Sequence, residues 1–425
     1  MTTNPLLLIR HYSIAFLLLT FFPLLPQAQS LPVVTPEAAG MDSGHLSLVD
    51  QAIQDAIEDE QTPGAVLLVL RDGAIVYRKA YGLRQVVHGA EPATTETIYD
   101  LASLTKPVAT ATAVMQLLEQ GKLRLLDPVS MYLPEFESWH DREQGQMSTI
   151  RIRHLMTHTS GLPSYPPVND LLELANGENT REVVFDWLDH VERDFAPGEN
   201  FQYSCPNFVT LQRIVESITG LSLDEYTQKH IFNPLKMDKT GYNPPEEWIP
   251  QTAPTGILDT GIQQVCTVHD PFARDLMEGI SGNAGLFSTA DDLARFAAMM
   301  LNDGELDGIR ILSPASIQAL QSVPRGLESF GRGLGWDLYS PYASNQGDLM
   351  GNRSFGHTGF TGTSLTIDPD SRTAIIFLSN RVYPVEGQGS VVRLRSIIAN
   401  IVAASILGEP GSIPAQHWAD RTEAP

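Results

Sequence analysis

The stretch DLASLTKP, from Asp100 to Pro107, is the strongest indication of the fold in this sequence. Apolar residues recur after it at helical spacing and predict a helix with one buried face: Val108, Ala111, Val114, Leu117 and Leu118. Ser103 and Lys106 lie three residues apart at the start of that helix, so their side chains project on the same face. Pro107 is compatible with this position because the N–H groups of a first helical turn have no partner within the helix.

This pairing of a hydroxyl with an amine has a chemical meaning. A serine hydroxyl is a poor nucleophile until a neighbouring base takes its proton, and lysine is such a base only when its pKa falls. A helix N-terminus and a desolvated cleft both disfavour the ammonium form of Lys106, which predicts a lowered pKa. The pattern alone is common by chance, and the alternative is a capping Ser103 beside a solvated lysine. Other motifs in the sequence are needed to decide between a catalytic pair and a structural one.

Two further motifs follow in the chain, PGENFQYS at Pro197–Ser204 and FGHTGFTG at Phe355–Gly362. Together with Ser103-Leu104-Thr105-Lys106 they resemble the three motifs of serine β-lactamases, low-molecular-weight penicillin-binding proteins and related esterases. The stretches Arg153–Leu162 and Gly282–Thr289 are also similar to segments seen across this family. The resemblance extends over nearly the whole mature chain.

The resemblance implies a catalytic role for three residues. Ser103 would attack a carbonyl, Lys106 and Tyr203 would share the transfer of its proton, and water would later release the acyl group from Ser103. It implies no metal and no organic cofactor.

The same resemblance implies how a substrate would be held. The backbone N–H groups of Ser103 and Phe360 would form an oxyanion hole, which requires both to point at one carbonyl oxygen. Thr358 and Gly359 would bind or admit the backbone-like part of the substrate.

Two departures from the family pattern bear on the substrate. Cys205 stands where many relatives have Asn, and because a thiol is a weak donor and acceptor, the place beside Lys106 is open to Asn207 or to water. His357 stands where β-lactamases commonly have Lys, and an imidazole with a reference pKa of about 6.5 is mostly neutral at pH 7. We therefore expect weaker recognition of both amides and carboxylates, and count Cys205, Asn207 and His357 with the substrate-binding residues.

These observations predict a serine hydrolase that acts on an ester, a D-amino-acid peptide or a β-lactam. The favoured activity is that of an esterase or a D,D-carboxypeptidase, with at most slow β-lactam hydrolysis. The alternative is a penicillin-recognising receptor or pseudoenzyme that becomes acylated without efficient turnover, since deacylation depends on water placement.

The fold class predicted is α+β, a β-lactamase/transpeptidase-like antiparallel sheet flanked by helices. Strands are predicted on both sides of Asp72-Gly73 and again at Ser364–Ile367 and Ala374–Leu378, with a last helix around Val391–Ile406. Ser43 is predicted to cap an early helix. Residues 31–106 plus 285–412 would form the sheet domain, residues 107–284 a mostly helical insertion, and the active site would lie at their junction.

The first 30 residues are typical of a cleavable signal peptide. An apolar stretch from Ile14 to Leu25 is followed by Ala28 and Ser30, which offer a cleavage site before Leu31. No cysteine follows the stretch for lipid attachment. We expect a periplasmic or secreted protein with no stable membrane insertion after signal removal.

Composition and the remaining motifs exclude several other functions. The formal net charge of −22 opposes binding to nucleic acid, so the expected partner is a small-molecule or peptidoglycan-peptide substrate. His154 and His158 lie at a zinc-like spacing, but no Glu follows His154 and no third ligand is evident. His269-Asp270 is taken as a loop that can line the cleft, and the pairing of Cys205 with Cys266 is left open.

Overall fold

The computed structural model describes residues 1, 30–141, 145–258, 261–387 and 389–407. The described residues from Leu31 onward cluster into one compact unit. The predicted signal peptide falls almost entirely outside the described residues. Among the residues described, none of the helices combines the length and apolar character needed to cross a membrane.

The strands, in chain order, are β1 (Gly64–Arg71), β2 (Ala74–Gln85), β3 (Glu91–Pro92), β4 (Tyr99–Asp100), β5 (Trp139–Asp141), β6 (Gln146–Ser148), β7 (Gly241–Tyr242), β8 (Gly256–Ile257), β9 (Gln263–Gln264), β10 (Leu286–Ser288), β11 (Glu305–Leu306), β12 (Ile309–Arg310), β13 (Phe355–Thr358), β14 (Ser364–Asp368) and β15 (Thr373–Ser379).

The α-helices are α1 (Ser43–Leu46), α2 (Leu48–Glu58), α3 (Thr112–Glu119), α4 (Ile152–Met156), α5 (Val168–Ala175), α6 (Thr180–His190), α7 (Cys205–Thr219), α8 (Leu223–Thr227), α9 (Ala290–Leu301), α10 (Pro314–Leu320) and α11 (Val392–Ala404).

The main sheet is built from both ends of the chain. Its strand order is β13-β14-β15-β1-β2-β3, and every neighbouring pair is antiparallel. The predicted hairpin at Asp72-Gly73 is confirmed, with φ of 49° and 77° at these two residues, which suits the twist of the flanking strands. Strand β1 lies at the centre because it pairs with β2 on one side and with β15, from the C-terminal part, on the other.

The central strand β1 is buried on both faces, and this determines where helices pack. Val66, Leu68 and Leu70 belong to one apolar cluster, which contains residues of α3, α7 and α9. The alternate residues Ala65 and Leu67 belong to a second cluster with residues of α2 and α11. Because successive side chains of a strand point to opposite faces, a strand that is apolar throughout requires helices on both sides of the sheet.

Two local details differ from the sequence prediction. The N-cap of α1 is Asp42, whose carboxylate accepts a hydrogen bond from His45 N at 3.0 Å, and Ser43 is the first residue of the helix. The predicted helix after the Ser103 stretch is present, but it begins with a 3-10 turn at Ala102–Leu104 and a wider π-helical turn at Lys106–Ala111 before α3. π-turns within helices are frequent at functional sites.

The last helix, α11, holds the third motif in place through one buried arginine. The guanidinium of Arg395 donates to the backbone oxygens of Gly359 and Thr363 at 3.0 and 2.9 Å and to Asn345 Oδ1 at 3.3 Å. Burial lowers the pKa of Arg395 to about 9, so the side chain is still charged at pH 7. The turn after β13 therefore depends on this contact with α11.

Replacement of Arg395 by Met tests that dependence. Loss of the guanidinium removes two charge-assisted hydrogen bonds to the buried carbonyl groups of Gly359 and Thr363, each of which keeps one backbone N–H donor, and this is expected to lower the free energy of unfolding by about 3 kcal/mol. Arg393→Met, at an exposed position of the same helix, is the control and is expected to change it by less than about 0.5 kcal/mol. Urea denaturation of both variants measures the difference, and equal effects would contradict this role for Arg395.

Candidate active site

The side chains of Ser103 and Lys106 meet as their spacing predicts. Lys106 Nζ donates to Ser103 Oγ at 3.0 Å and to the backbone oxygen of Asn283 at 3.0 Å, and it lies 3.6 Å from Cys205 Sγ. The side chain of Lys106 is completely buried, whereas Ser103 is partly exposed. The serine hydroxyl is thus open to the cleft, and the ammonium group lies behind it.

Tyr203, from the second motif, lies against the same lysine. Lys106 Nζ is 4.9 Å from the centre of the Tyr203 ring, and the ring of His158 packs on Tyr203 with centroids 4.4 Å apart. The loop is fixed at the next residue, where Ser204 N donates to His158 Nδ1 at 3.1 Å and Ser204 Oγ donates to the backbone oxygen of Pro163 at 2.7 Å. The segment Arg153–Leu162 therefore supports the second motif from behind.

The third motif lies on the edge strand of the main sheet. Strand β13 ends at Thr358, and Gly359 N donates to the backbone oxygen of Thr363 at 2.7 Å to form a tight turn. A Cβ atom at Gly359 would overlap Thr363 Oγ1 and the backbone oxygen of Leu101, so only glycine lets this turn approach the residues before Ser103. The turn then presents Phe360, which is 52% exposed.

These elements enclose a cavity of about 510 Å³ with Ser103 in its wall. Three other predicted site residues line it, namely Tyr203, Cys205 and Phe360. The prediction that His269-Asp270 lines the cleft is confirmed. The remaining lining residues were not singled out from the sequence: Ala102, Ser164, Tyr165, Pro271, Asn283, Ala284, Tyr342 and Glu386.

Not every predicted binding residue reaches the cavity. The amide of Asn207 is buried and bonds Ser160 Oγ at 2.5 Å and His158 Nδ1 at 3.2 Å. The sequence suggested that Asn207, two residues after Cys205, could lie beside Lys106. The backbone oxygen of Asn283 occupies that place instead. The direction of α7 turns Asn207 towards the loop behind the site.

A chain of hydrogen bonds on the opposite wall holds that carbonyl group. Asn283 Nδ2 donates to Asp270 Oδ2 at 2.6 Å, and Ser281 Oγ donates to Asn283 Oδ1 at 2.6 Å. The hydroxyl of Tyr165 donates to the other oxygen of Asp270. Asn283 belongs to the segment Gly282–Thr289, which resembles a segment seen across the family. Its side chain is thereby hydrogen-bonded to the loop that carries His269 and Asp270.

The charge on Lys106 differs from the prediction made from the sequence. Burial lowers its pKa as expected, but the negative charges that Cys205 and Tyr203 can carry, a hydrogen bond with Tyr203 and the charge of Asp270 raise it more. The net pKa is raised, so Lys106 is an ammonium ion in the free protein. Its positive charge stabilises any negative charge that develops on Ser103 or Tyr203.

His357 is neutral at pH 7, as predicted. Burial is the main cause of a pKa well below 6.5, and the charges of Arg332 and Lys106 lower it further. His357 Nδ1 lies 2.9 Å from the backbone oxygen of Thr358, and its ring is 6.1 Å from that of Tyr203. The third motif thus has no positive charge of its own.

The described residues contain no group of three or more His, Cys, Asp or Glu side chains arranged to hold a metal ion. Cys205 and Cys266, whose pairing the sequence left open, are both free thiols.

Known proteins resemble the chain over most of its length. A family model described as Beta-lactamase matches residues 49–398. A protein of Escherichia coli O157:H7 named as a D-alanyl-D-alanine carboxypeptidase is 34% identical over 382 residues, which cover 83% of this chain and 87% of that protein. One of the same name from Salmonella agona strain SL483 is 34% identical over 396 residues, covering 87% and 90%.

Solved structures share the fold. EstCE1, described as a hydrolase with promiscuous acyltransferase activity, superposes with a TM-score of 0.68 at 23% identity, over 85% of this chain and 99% of that one. The octameric penicillin-binding protein homologue of Pyrococcus abyssi has a TM-score of 0.63 at 27% identity, over 85% and 77%. With the family model, the curated relatives and the fold in agreement, the chain belongs to the β-lactamase family of serine hydrolases.

Proposed function

We propose that the protein is an exported hydrolase that forms an acyl-enzyme on Ser103 and acts on esters or D-amino-acid peptides. The observation that carries the proposal is the 3.0 Å contact between Lys106 Nζ and Ser103 Oγ at the wall of a cavity that Tyr203 also lines. Export, to the periplasm or the medium, rests on the signal-like sequence of residues 1–30 alone.

In the first half of the reaction Tyr203 acts in its phenolate form: Ser103 Oγ attacks the substrate carbonyl carbon while its proton passes to the Tyr203 oxygen. The ammonium of Lys106 stabilises the negative charge on both oxygens, and the N–H groups of Ser103 and Phe360 are proposed to bind the oxyanion. Collapse of the tetrahedral intermediate breaks the bond to the leaving group, which takes the proton from Tyr203. Ser103 is left as an acyl ester.

In the second half, a water molecule gives its proton to Tyr203 and its oxygen attacks the acyl carbon. Collapse of this second intermediate releases the carboxylic acid and returns the proton to Ser103 Oγ. Both halves use side chains and backbone N–H groups of this protein, together with water.

The charges around the cavity favour substrates that carry no carboxylate. His357 is neutral and the lining residues include the acidic Asp270 and Glu386, whereas the cations Lys106 and Arg381 lie behind lining residues, Lys106 at Ser103 and Arg381 4.7 Å from the centre of the Phe360 ring. Three aromatic side chains that are 40 to 52% exposed stand in the wall, Tyr165, Tyr342 and Phe360. An ester with an apolar acyl group therefore suits the cavity better than a penicillin or a peptide ending in a free carboxylate.

We also propose that the chain consists of a sheet domain and an inserted helical domain, and the residues that line the cavity support this division. The cavity wall takes Ser103 and Phe360 from residues 31–106 plus 285–412, and Tyr203, Cys205 and Asp270 from residues 107–284. A substrate would be held between the two parts.

The first test is acylation. Wild type and Ser103→Ala are incubated with a p-nitrophenyl ester and with a fluorescent penicillin, and intact mass and nitrophenol release are followed over time. We expect release to fall at least about 1,000-fold in Ser103→Ala, because no other group replaces the nucleophile. Ser322→Ala, on the exposed surface, is the control variant.

The time course separates hydrolase from receptor. An adduct that depends on Ser103 and clears over many turnovers supports the proposed activity. A Ser103-dependent adduct that persists would favour the penicillin-recognising receptor, and absence of any Ser103-dependent reaction would contradict the proposal.

The second test concerns Cys205. An Asn at this position can accept from Lys106 Nζ and donate to a substrate amide, so Cys205→Asn is expected to raise kcat/KM for a D-alanyl amide relative to the matching ester by about fivefold. Cys205→Ala is the matched control because its methyl group provides neither contact. An unchanged ratio in Cys205→Asn would show that Cys205 does not limit amide hydrolysis.

The third test uses a pair of ester substrates that differ only in a free or an amidated C-terminal carboxylate. Because the pKa of His357 lies well below 6.5, this residue brings no positive charge between pH 6 and 9, and with the acidic Glu386 in the wall a free carboxylate should bring no gain in kcat/KM over that range. Glu386→Gln should raise the ratio of free to amidated substrate about twofold. A wild-type preference of tenfold or more for the free carboxylate would contradict this charge argument.

A further inference from the structure

A buried carboxylate lies three residues before the proposed nucleophile, and no step above makes use of it. Asp100, at the end of β4, is 1% exposed. Its Oδ1 accepts a hydrogen bond from Ala102 N at 2.8 Å, and its Oδ2 accepts one from His269 N at 2.8 Å. Within the described part of the chain both oxygens thus bond main-chain N–H groups, and no Lys or Arg forms an ion pair with them.

The residue that Asp100 holds has an unfavourable backbone conformation. Ala102 has φ of 46°, in the left-handed region where a Cβ atom is crowded by the backbone. It directly precedes Ser103, so this φ sets the direction in which the serine side chain leaves the turn. Strained backbone next to a reacting group is maintained only when the surrounding structure imposes it.

The backbone on both sides of Asp100 is fixed as well. Thr361 Oγ1 donates to the backbone oxygen of Asp100 at 2.7 Å, and Thr363 Oγ1 donates to that of Leu101 at 3.0 Å. Leu101 N donates to the backbone oxygen of Leu286 in β10 at 2.8 Å. The third-motif turn and the 282–289 segment are therefore both hydrogen-bonded to the residues that precede Ser103.

The second oxygen of Asp100 links this turn to the opposite wall. His269 lines the cavity, and its ring stacks on Phe360 with centroids 5.8 Å apart. One carboxylate therefore fixes the residue before the nucleophile and a wall residue that contacts the proposed oxyanion-binding turn. Burial of a carboxylate and a left-handed alanine are both unfavourable for folding, and they occur together only two residues apart.

We propose that Asp100 is a positioning residue for the nucleophile: its carboxylate holds Ala102 in the left-handed conformation that directs Ser103 Oγ to Lys106, and fixes His269 in the cavity wall. The proposal rests on the function assigned to Ser103 above. Asparagine has the same size as aspartate, but its NH₂ group would face an N–H donor at one of the two contacts. Asp100→Asn therefore removes one hydrogen bond without creating a cavity.

The test is a double-variant cycle with Asp100→Asn and Ala102→Gly. Glycine adopts a positive φ without steric cost, so it should restore the turn when the carboxylate is gone. We expect Asp100→Asn to lower kcat for a p-nitrophenyl ester about 100-fold with KM changed less than about threefold, and the double variant to recover at least about tenfold. Ala102→Gly alone provides the fourth corner of the cycle.

Asp292 provides the matched control. It is another buried carboxylate, 8% exposed, that accepts from Lys239 N and Thr240 Oγ1 at 2.8 Å each, away from the cavity. Asp292→Asn should lower the unfolding temperature, leave kcat within about threefold of wild type and gain nothing from Ala102→Gly. If Asp100 contributed to stability alone, Asp100→Asn and Asp292→Asn would have the same effects on the unfolding temperature and on kcat.

Crystal structures of the wild type, Asp100→Asn and the double variant give a readout that does not need turnover. The 3.0 Å contact between Lys106 Nζ and Ser103 Oγ should be lost in Asp100→Asn and return in the double variant. If the wild type hydrolyses no ester, the proposed function fails, but these distances still test Asp100. Should Asp100→Asn not fold, Asp100→Glu replaces it with the same expectations. An unaltered contact and kcat, or no recovery by Ala102→Gly, would overturn the proposal.

Discussion

The site depends on the complete burial of one positive charge, that of Lys106. An ammonium ion removed from water is unfavourable unless its three N–H groups find acceptors. Ser103 Oγ and the backbone oxygen of Asn283 supply two of these at 3.0 Å each, and the ring of Tyr203 offers its negative face 4.9 Å away. Each partner comes from a different part of the chain, so the charge can be tolerated only when the whole fold has assembled.

The same concentration of positive charge gives a physical reason for the neutral third motif. Lys106 and Arg332 both lower the pKa of His357, and the buried Arg395 acts in the same direction. A lysine in place of His357 would add another cation to this group. Asp270 and Glu386 both line the cavity together with exposed aromatic side chains, so a substrate in the cavity meets an acidic and aromatic wall beside the ammonium group.

Local patterns were predicted well because their cause is local. The hairpin at Asp72-Gly73 follows from two residues that tolerate positive φ, and the three motifs follow from residue types needed at short spacing. The prediction was wrong for the pKa of Lys106, because the groups that raise it, Tyr203, Cys205 and Asp270, are 97 to 164 residues away in the sequence and their distance from Nζ is a property of the folded chain. It was also wrong about Asn207, which is only two residues from Cys205 but points to His158.

The sequence by itself determined the fold class, the order of the motifs and the proximity of Ser103 to Lys106, since helical periodicity and strand alternation are properties of neighbouring residues. Only the tertiary structure decided what surrounds that pair. The carbonyl of Asn283 on Lys106, the contact of the Asp100 carboxylate with His269 N and the aromatic wall at Tyr342 all join segments far apart in the chain. No periodicity relates such segments, and their meeting depends on how the sheet and the helices pack.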